Sequence, residues 1–437
     1  MQNSKRIGLS LSGGGYRAAA FHLGTLNKLH QMGVLQKVDV LSTISGGSIT
    51  GAAWCLHQSD YPSFHEKMVT DLQSVNIISY IFRSWIFIRT VLWAILCLGG
   101  AIFLSFTSYA WLIFPLLFLF FFILLKQQFK LFPVSAVVEK VYNSFYQHKT
   151  LQQLKPLPIL AIGSSNLHSG RPFTFSQSKM SDSTYVFRKE YDPPIKFKHE
   201  KFPVARAVMA SSCVPFAFTP VYIDEEFYEN PEDFKRIKPV LVDGGVYDNQ
   251  GIQKLTQPGS SYECDIIITS DAGGNFIADK KYPNTISLLV RTVDLFMYRI
   301  KTSQMIQNIY RNVKGPQKPI AYYSLGWRLA DIIPGFVNNM CSGQILQEVI
   351  DAHAFHPEWI KNARQFSKEI AEHLMSRVDY DKIKKNDLTE EEWNLARSTG
   401  TNLTALSKER ISYLIRHAEN LTEIQIKLYC PSTISFS

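Results

Sequence analysis

The chain has 437 residues, of which 46% are hydrophobic and 19% are charged, and its formal net charge is +9. This length accommodates one large α/β domain or two smaller ones. The six cysteines are scattered without a C-x-x-C pair, which argues against a disulfide framework or a metal site and favours a reducing compartment. The positive charge suits an anionic partner. Because no basic repeat or nucleic-acid motif is present, we favour a membrane surface over nucleic acid, with general solubility as the alternative.

A glycine-rich turn follows the first predicted strand. Residues 6–12 are expected to form that strand, Gly13, Gly14 and Gly15 the turn, and residues 18–32 a helix. Such a turn exposes main-chain N–H groups, which can bind a phosphate or the oxyanion of an acyl-transfer reaction. Neither a Walker ending nor a G-x-G-x-x-G pattern is present, so an oxyanion hole is the better functional interpretation. A tight turn without chemical function is the alternative.

A serine stands at the end of the second apolar segment. Residues 38–44 predict a strand, Ser45 is followed by two glycines, and residues 49–57 predict a helix. Strand, sharp turn and helix are the parts of a nucleophile elbow, in which the turn exposes the serine hydroxyl. The usual motif is Gly-x-Ser-x-Gly, and here Thr43 takes the place of the first glycine. An ordinary turn or a helix N-cap is the alternative.

The largest change in composition is an apolar segment, residues 86–125, whose only charge is Arg89. A membrane-spanning helix needs about 20 apolar residues, so the segment predicts two crossings, residues 86–104 and 109–125. The positive-inside rule places both outer ends in the cytoplasm, because they carry cations and the turn between the helices does not. Those cations are Arg83, Arg89, Lys126 and Lys130. A buried helical hairpin, or a pair of helices lining a lipid-binding groove, is the alternative.

The rest of the chain alternates between predicted strands and helices, which indicates a mostly parallel sheet covered on both faces. The predicted strands after the apolar segment are residues 158–163, 185–187, 239–243 and 265–270. Residues 285–313 predict a long basic helix, which we interpret as a solvated face, with a membrane-facing helix as the alternative. The last hundred residues are expected to be mostly helical.

Asp243 ends one of these strands and is followed by two glycines. An aspartate in that position can point into the crevice above the carboxyl edge of a sheet, where α/β proteins bind ligands. The glycine turn, Ser45 and Asp243 each follow a predicted strand directly, so we expect them at one edge. An Asp-Gly turn is the alternative.

Four short motifs, in this order, are similar to those of the patatin-like phospholipase family. They are Gly13-Gly14-Gly15-Tyr16-Arg17, Ser45-Gly46-Gly47, the proline-containing run at residues 210–220, and Asp243-Gly244-Gly245. The resemblance covers about residues 5–80 and 155–310 and implies a three-layer α/β/α sandwich with a mostly parallel sheet. The apolar hairpin is not part of the family's common core, so its role does not follow from the resemblance.

The resemblance also implies a Ser-Asp dyad without a catalytic histidine. On this chain Ser45 is then the nucleophile and Asp243 the general base. The implied oxyanion hole is the turn of Gly13, Gly14 and Gly15, with the N–H groups of Gly14 and Gly15 as donors. The family's first elbow glycine is Thr43 here, a departure that bears on the geometry of the turn.

Arg17 is expected to orient the glycine turn or to bind an anionic head group. No cofactor or metal is implied. A serine alcohol needs a base, and a triad with a late histidine is the competing interpretation. The candidates are His353, His356 and His417, none of which follows a predicted strand.

Together these features predict a membrane-anchored lipid acyl hydrolase that cleaves fatty-acyl esters of membrane phospholipids. An acyltransferase on the same fold and a catalytically inactive membrane scaffold are the alternatives. The expected domains are a catalytic domain in two parts (1–84 and 127–330), a transmembrane hairpin (85–126) and a helical C-terminal extension (331–437). Residues 86–125 are expected to contact the bilayer, with the catalytic domain on the cytoplasmic side of a bacterial inner membrane and no nucleic-acid partner.

Overall fold

A mixed, mostly parallel β-sheet runs through the centre of the protein. The computed structural model describes residues 5–57, 60–187, 193–273, 282–315 and 317–434. In these residues the strands are β1 (Ile7–Leu11), β2 (Val38–Ile44), β3 (Ile159–Asn166), β4 (Arg171–Phe175), β5 (Met180–Ser181), β6 (Val221–Tyr222), β7 (Val240–Asp243), β8 (Ile266–Asp271) and β9 (Ile320–Ser324). The main strand order is β5-β4-β3-β2-β1-β8-β9, and the neighbours from β3 to β9 are parallel.

Helices cover both faces of the sheet. In the described residues they are α1 (Gly15–Gln31), α2 (Gly46–Leu56), α3 (Tyr61–Ser74), α4 (Ile77–Arg83), α5 (Trp85–Leu104), α6 (Ile113–Leu131), α7 (Val134–Phe145), α8 (Ser183–Val186), α9 (Val204–Ser211), α10 (Glu232–Arg236), α11 (Gly245–Asp248), α12 (Ile252–Thr256), α13 (Thr285–Met305), α14 (Ile332–Cys341), α15 (Gln347–Ala352), α16 (Pro357–Lys361), α17 (Ser367–Arg377), α18 (Tyr380–Lys384), α19 (Glu390–Arg397) and α20 (Lys408–Tyr429).

Two hydrophobic cores lie on the two faces. Leu9, Leu41 and Ile268 belong to the larger core with α1, whereas Val40 and Ile267 belong to the smaller core with α12. Neighbouring strand residues alternate between the two cores because successive side chains of a strand point to opposite faces. The expected three-layer sandwich with a mostly parallel sheet is therefore confirmed.

The antiparallel part of the sheet is built on the second half of β3. The first five residues of β3 pair with β2, and its last three pair with β7, which runs in the opposite direction. Asp243, the last residue of β7, lies opposite Ser164, one position beyond the pair of Ile44 and Gly163. β7 therefore ends at the carboxyl edge of the parallel strands, but it runs toward that edge in the direction opposite to theirs.

The predicted strand at residues 185–187 is wrong. Residues Ser183–Val186 form α8 instead, because the Asp182 carboxylate caps this turn. The carboxylate accepts hydrogen bonds from the main-chain N–H groups of Thr184 at 2.9 Å and Tyr185 at 3.2 Å. A local polar cap therefore outweighs the strand propensity of a Tyr-Val-Phe sequence.

The apolar segment forms two helices, α5 and α6, that pack on each other and leave most of their surface exposed. Ala101 and Phe120 are the residues buried within them, and Trp93 stacks on Phe120 with ring centroids 4.9 Å apart. Both helices are long and apolar enough to cross a membrane. The 20 residues of α5 span about 30 Å, the thickness of a bilayer's hydrocarbon core.

The single charge within the segment lies at the open end of this hairpin. Arg89 Nη2 donates a hydrogen bond to the Leu131 carbonyl at 2.8 Å, which satisfies a main-chain acceptor at the end of α6. The second helix is displaced from the predicted crossing at 109–125. It begins at Ile113, after a single 3₁₀ turn at Ala110–Leu112.

The C-terminal helices share the larger core. α20 lies so close to α1 that a Cβ atom on Gly24 would come 2.3 Å from the Ile415 carbonyl oxygen. Leu421 and Ile424 of α20 are fully buried in the same core. The separation of residues 331–437 as an extension stays a prediction.

Candidate active site

Ser45 occupies a strained turn between β2 and α2. Its φ of 49° and ψ of −115° lie in a region that non-glycine residues rarely adopt, so the surroundings must hold it there. The Ser45 N–H donates to Ser211 Oγ at 2.9 Å, and that hydroxyl in turn donates to the Gly163 carbonyl at 2.6 Å. The backbone of the turn thus has the geometry expected of a nucleophile elbow.

The elbow packs directly against the glycine turn. A Cβ atom on Gly46 would lie 2.2 Å from the Gly15 carbonyl oxygen, and one on Gly47 would lie 2.3 Å from the Leu11 carbonyl oxygen. Any side chain at these two positions would push the serine away from the glycine turn. The Gly47 N–H also donates to the Ser12 carbonyl at 3.1 Å and fixes the distance between the two turns.

Thr43 is accommodated by a glycine one helical turn into α2. A Cβ atom on Gly51 would lie 2.6 Å from Thr43 Cγ2, so the absence of a side chain at residue 51 makes room for the threonine. The Thr43 hydroxyl accepts a hydrogen bond from Ser48 Oγ at 3.0 Å. The departure from the Gly-x-Ser-x-Gly pattern is therefore compatible with the elbow.

The glycine turn leaves two main-chain N–H groups without a partner. Gly14 has a φ of 142° and Gly15 a φ of 57°, values that glycine adopts readily. The Gly13 N–H already donates to the Asn249 carbonyl at 2.9 Å, so it is not available as a donor in this structure. Among the described residues, no hydrogen bond engages the N–H of Gly14 or Gly15. Both lie at the N-terminus of α1, where the helix dipole favours negative charge.

Asp243 faces the serine across the edge of the sheet. The Ser45 side chain lies close enough to the Asp243 carboxylate to lower its pKa, and the Gly245 N–H donates a hydrogen bond to Asp243 Oδ1 at 2.7 Å. The side chains are nearly inaccessible, with Ser45 5% and Asp243 4% exposed. Burial raises the pKa of Asp243 to about 6, and the Gly245 N–H and the Ser45 side chain oppose that rise.

The segment from Ser211 to Cys213, at the end of α9, positions both Ser45 and Asp243. The Ser211 hydroxyl holds the Ser45 N–H, while the Ser211 carbonyl accepts from the Gly244 N–H at 3.0 Å. The Cys213 carbonyl accepts from the Asp243 N–H at 2.8 Å. The proline-containing run thus has a structural role that its sequence alone did not reveal.

Two further residues beside the site were missed. Asn249, whose carbonyl binds Gly13, places its side-chain oxygen between the glycine turn and Gly245. His22 is fully buried, with Nε2 2.9 Å from the Ser12 carbonyl and Nδ1 2.9 Å from Ser270 Oγ. Burial lowers the pKa of His22 to about 4, so the neutral ring donates from Nε2 and fixes the strand end before the glycines. The position of Asn249 shortly after Asp243 was the available signal.

Arg17 contacts the C-terminal region and lies beside Gly14 of the glycine turn. Its Nη1 donates to the Thr399 carbonyl at 3.2 Å, and the neighbouring Tyr16 N–H donates to the Asn402 carbonyl at 3.0 Å. Burial lowers the pKa of Arg17 to about 10, so the guanidinium remains charged at neutral pH. This placement favours orientation of the glycine turn over head-group binding.

The late histidines have other partners. His353 Nε2 lies 2.8 Å from the Leu428 carbonyl, and His417 Nε2 lies 3.2 Å from the Leu325 carbonyl. His356 caps the N-terminus of α16. Burial lowers the pKa of both His353 and His417, to about 4 for His417. The described residues contain no group of three or more His, Cys, Asp or Glu side chains that could hold a metal ion.

The fold and this turn place the chain among α/β proteins that carry a serine on a strand-to-helix elbow. The family model of patatin-like phospholipases matches residues 9–255, and the chain belongs to that family. A comparison with curated proteins gives no match.

Three solved structures are similar to this chain at low sequence identity. Human GIVD cytosolic phospholipase A2 has 11% identity and a TM-score of 0.47 over 98% of this chain and 61% of its own. Its complex with methyl gamma-linolenyl fluorophosphonate has 12% identity and a TM-score of 0.44, over 98% and 58%. VipD from Legionella pneumophila has 13% identity and a TM-score of 0.31, over 74% and 61%. The chain thus spans about 60% of the length of these structures.

Proposed function

We propose that this protein is a lipid acyl hydrolase in which Ser45 is the nucleophile and Asp243 the general base. The observation that carries the proposal is the position of the Ser45 side chain beside the buried Asp243 carboxylate, close enough to lower the pKa of that carboxylate. Serine and base come from separate strands, and each is held by its own set of main-chain contacts. Membership of the patatin-like phospholipase family supports a phospholipid as the substrate.

The reaction follows from these contacts. Asp243 accepts the hydroxyl proton while Ser45 Oγ attacks the ester carbonyl carbon, and the oxyanion binds the N–H groups of Gly14 and Gly15. The proton then passes from Asp243 to the departing lysophospholipid oxygen, which leaves an acyl-serine. Water, deprotonated by Asp243, attacks that ester; the bond from Ser45 Oγ to the acyl carbon breaks, the proton passes from Asp243 to Ser45 Oγ, and the fatty acid is released. A pKa of about 6 keeps Asp243 mostly ionised at neutral pH and still basic enough to accept a proton.

The experiment that tests this function is an assay of the whole chain in vesicles of zwitterionic and anionic phospholipids. Free fatty acid and lysophospholipid in equal amounts are the expected products. Transfer of the acyl group to an added alcohol or thiol, without free fatty acid, would support the acyltransferase instead. If neither hydrolysis nor acyl transfer is detected, the result would contradict catalysis and favour a membrane scaffold.

We also propose that the hairpin of α5 and α6 anchors the protein in the bilayer with its catalytic part on the cytoplasmic side. The exposed apolar surface of both helices and the cations at their open end support this orientation. The assignment to a bacterial inner membrane stays a prediction.

Replacement of residues 86–125 by a short Gly-Ser linker is expected to release the protein from membranes. Ala101 and Phe120 are the buried residues of the two helices, so little core packing is lost. The measurement is alkaline carbonate extraction, which removes peripheral proteins, followed by sedimentation. The intact chain should stay in the pellet and the shortened chain should appear in the supernatant. A shortened chain that still resists extraction would show that another segment is embedded.

A further inference from the structure

The long helix α13 lies across the carboxyl edge of the sheet, next to the candidate dyad. The Lys301 ammonium forms an ion pair with the fully buried Asp271 carboxylate at 2.5 Å, at the end of β8. Met297 Cε lies 3.0 Å from where a Cβ atom on Gly245 would stand, and Gly245 is the residue whose N–H binds Asp243. These contacts fix one side of α13 against the catalytic crevice.

The other side of α13 is apolar and exposed. Leu288 and Leu289 recur seven residues later as Leu295 and Phe296, so the four side chains lie on one face of the helix. Each is about half exposed (54%, 49%, 49% and 56%), and no residue of the helix is buried. The outward side chains are mainly large and apolar, and the choice between a solvated and a membrane-facing helix stays a prediction.

The charges around this face match an anionic surface. Residues 285–314 contain five basic residues and one acidic residue. Of these, Lys301 is already paired with Asp271, whereas Arg299 is exposed beside the apolar face. A helix with large apolar side chains and flanking arginines is typical of elements that lie in the interface of a membrane.

We propose that α13 rests on the surface of an anionic bilayer and forms a second membrane contact, beside the active site and separate from the hairpin. The chain carries two helices that can cross a membrane, so a bilayer is held close to α13 at high effective concentration. The contact would bring lipid acyl chains to a dyad that is only 4–5% exposed to water. A soluble protein or a second copy of the chain would be less suited to a face whose flanking charges are mainly positive.

Fluorescence quenching tests the contact directly. In a chain whose partly exposed Cys97 and Cys341 are replaced by alanine, a polarity-sensitive dye is attached to Leu289→Cys, or to Met375→Cys as the matched control. Met375 is 40% exposed on α17. In anionic vesicles with nitroxide-labelled lipid, the dye at residue 289 should be quenched and the dye at residue 375 should not. Absence of quenching at 289, or equal quenching at both sites, would overturn the proposal, as would cross-linking between two copies at 289.

A ratio of activities provides the second measurement, which rests on the proposed function. For Leu289→Asp/Phe296→Asp, the rate on vesicle phospholipid divided by the rate on a soluble short-chain ester should fall by about tenfold or more. The control Ile360→Asp/Met375→Asp should keep the wild-type ratio, because both side chains are exposed on other helices. An unchanged ratio in the α13 variant would contradict the proposal. If the wild type cleaves neither substrate, the proposed function fails, and the quenching result still decides the membrane contact.

Discussion

Replacement of Ser45 by alanine is expected to lower kcat for fatty-acid release by on the order of 10⁴-fold or more. The variant lacks the hydroxyl that lies beside the Asp243 carboxylate, and no acyl-serine can form. The assay is fatty-acid release in phospholipid vesicles by the whole chain. A fluorophosphonate probe, which reacts with activated serines, should label the wild type and leave the variant unlabelled.

Ser63→Ala is the matched control for this substitution. Ser63 is an exposed residue in the first turn of α3, and its loss should leave both the rate and the labelling unchanged. Circular dichroism of the two variants separates loss of the nucleophile from loss of the fold. Fatty-acid release that survives Ser45→Ala would show that the elbow serine is not the nucleophile.

Replacement of Asp243 by asparagine is expected to lower kcat by on the order of 10²–10⁴-fold, because the amide cannot accept the Ser45 proton. For the wild type, the base must be ionised, and burial raises the pKa of Asp243 to about 6. Its kcat/KM should therefore fall about tenfold per pH unit below that value and be level above it. The residual activity of the variant should lose this dependence.

The pH profile is measured between pH 4.5 and pH 9 on a soluble ester, so that vesicle binding does not contribute. Asp381→Asn, at an exposed position of α18, is the control and should keep the wild-type profile. An inflection that persists in Asp243→Asn would assign the base to another group. His353 and His417 would then be tested first, although both are hydrogen-bonded to main-chain carbonyls elsewhere.

Much of the fold could be predicted from local pattern. The runs that became β1, β2 and β8 are apolar and end at glycine or polar residues, and their positions agree with the structure within one or two residues. The strand predicted at residues 185–187 failed because a single side chain, Asp182, decides the local backbone. The direction of β7 could not be predicted, because the sequence of a four-residue apolar strand does not determine its neighbour in the sheet or whether the pairing is parallel or antiparallel.

The candidate site shows the same limit. The serine, the aspartate and the glycine turn can be recognised in the sequence because glycines follow the ends of predicted strands. The residues that position them cannot be recognised in this way. Ser211, Asn249 and Asn402 act through main-chain contacts or single hydrogen bonds that form only in the folded protein. The compensation of Thr43 by Gly51 is likewise a spatial relation between two positions. The choice between a solvated and a membrane-facing α13 could not be made from the sequence, because its cations and apolar residues alternate along the chain.

The buried carboxyl group of Asp243 has a consequence for folding. In the unfolded chain its pKa has the ordinary value of 3.8, and in the folded protein it is about 6, so the folded state binds the proton more tightly. Its contribution to stability is complete below pH 3.8 and is lost as the pH rises through about 6. Above that pH the ionised group lowers the free energy of unfolding by about 3 kcal/mol relative to its protonated form. Catalysis by Asp243 therefore requires the ionised form, whereas the folded state is more stable with the protonated form. The protein would be most active at the pH values where Asp243 contributes least to its stability.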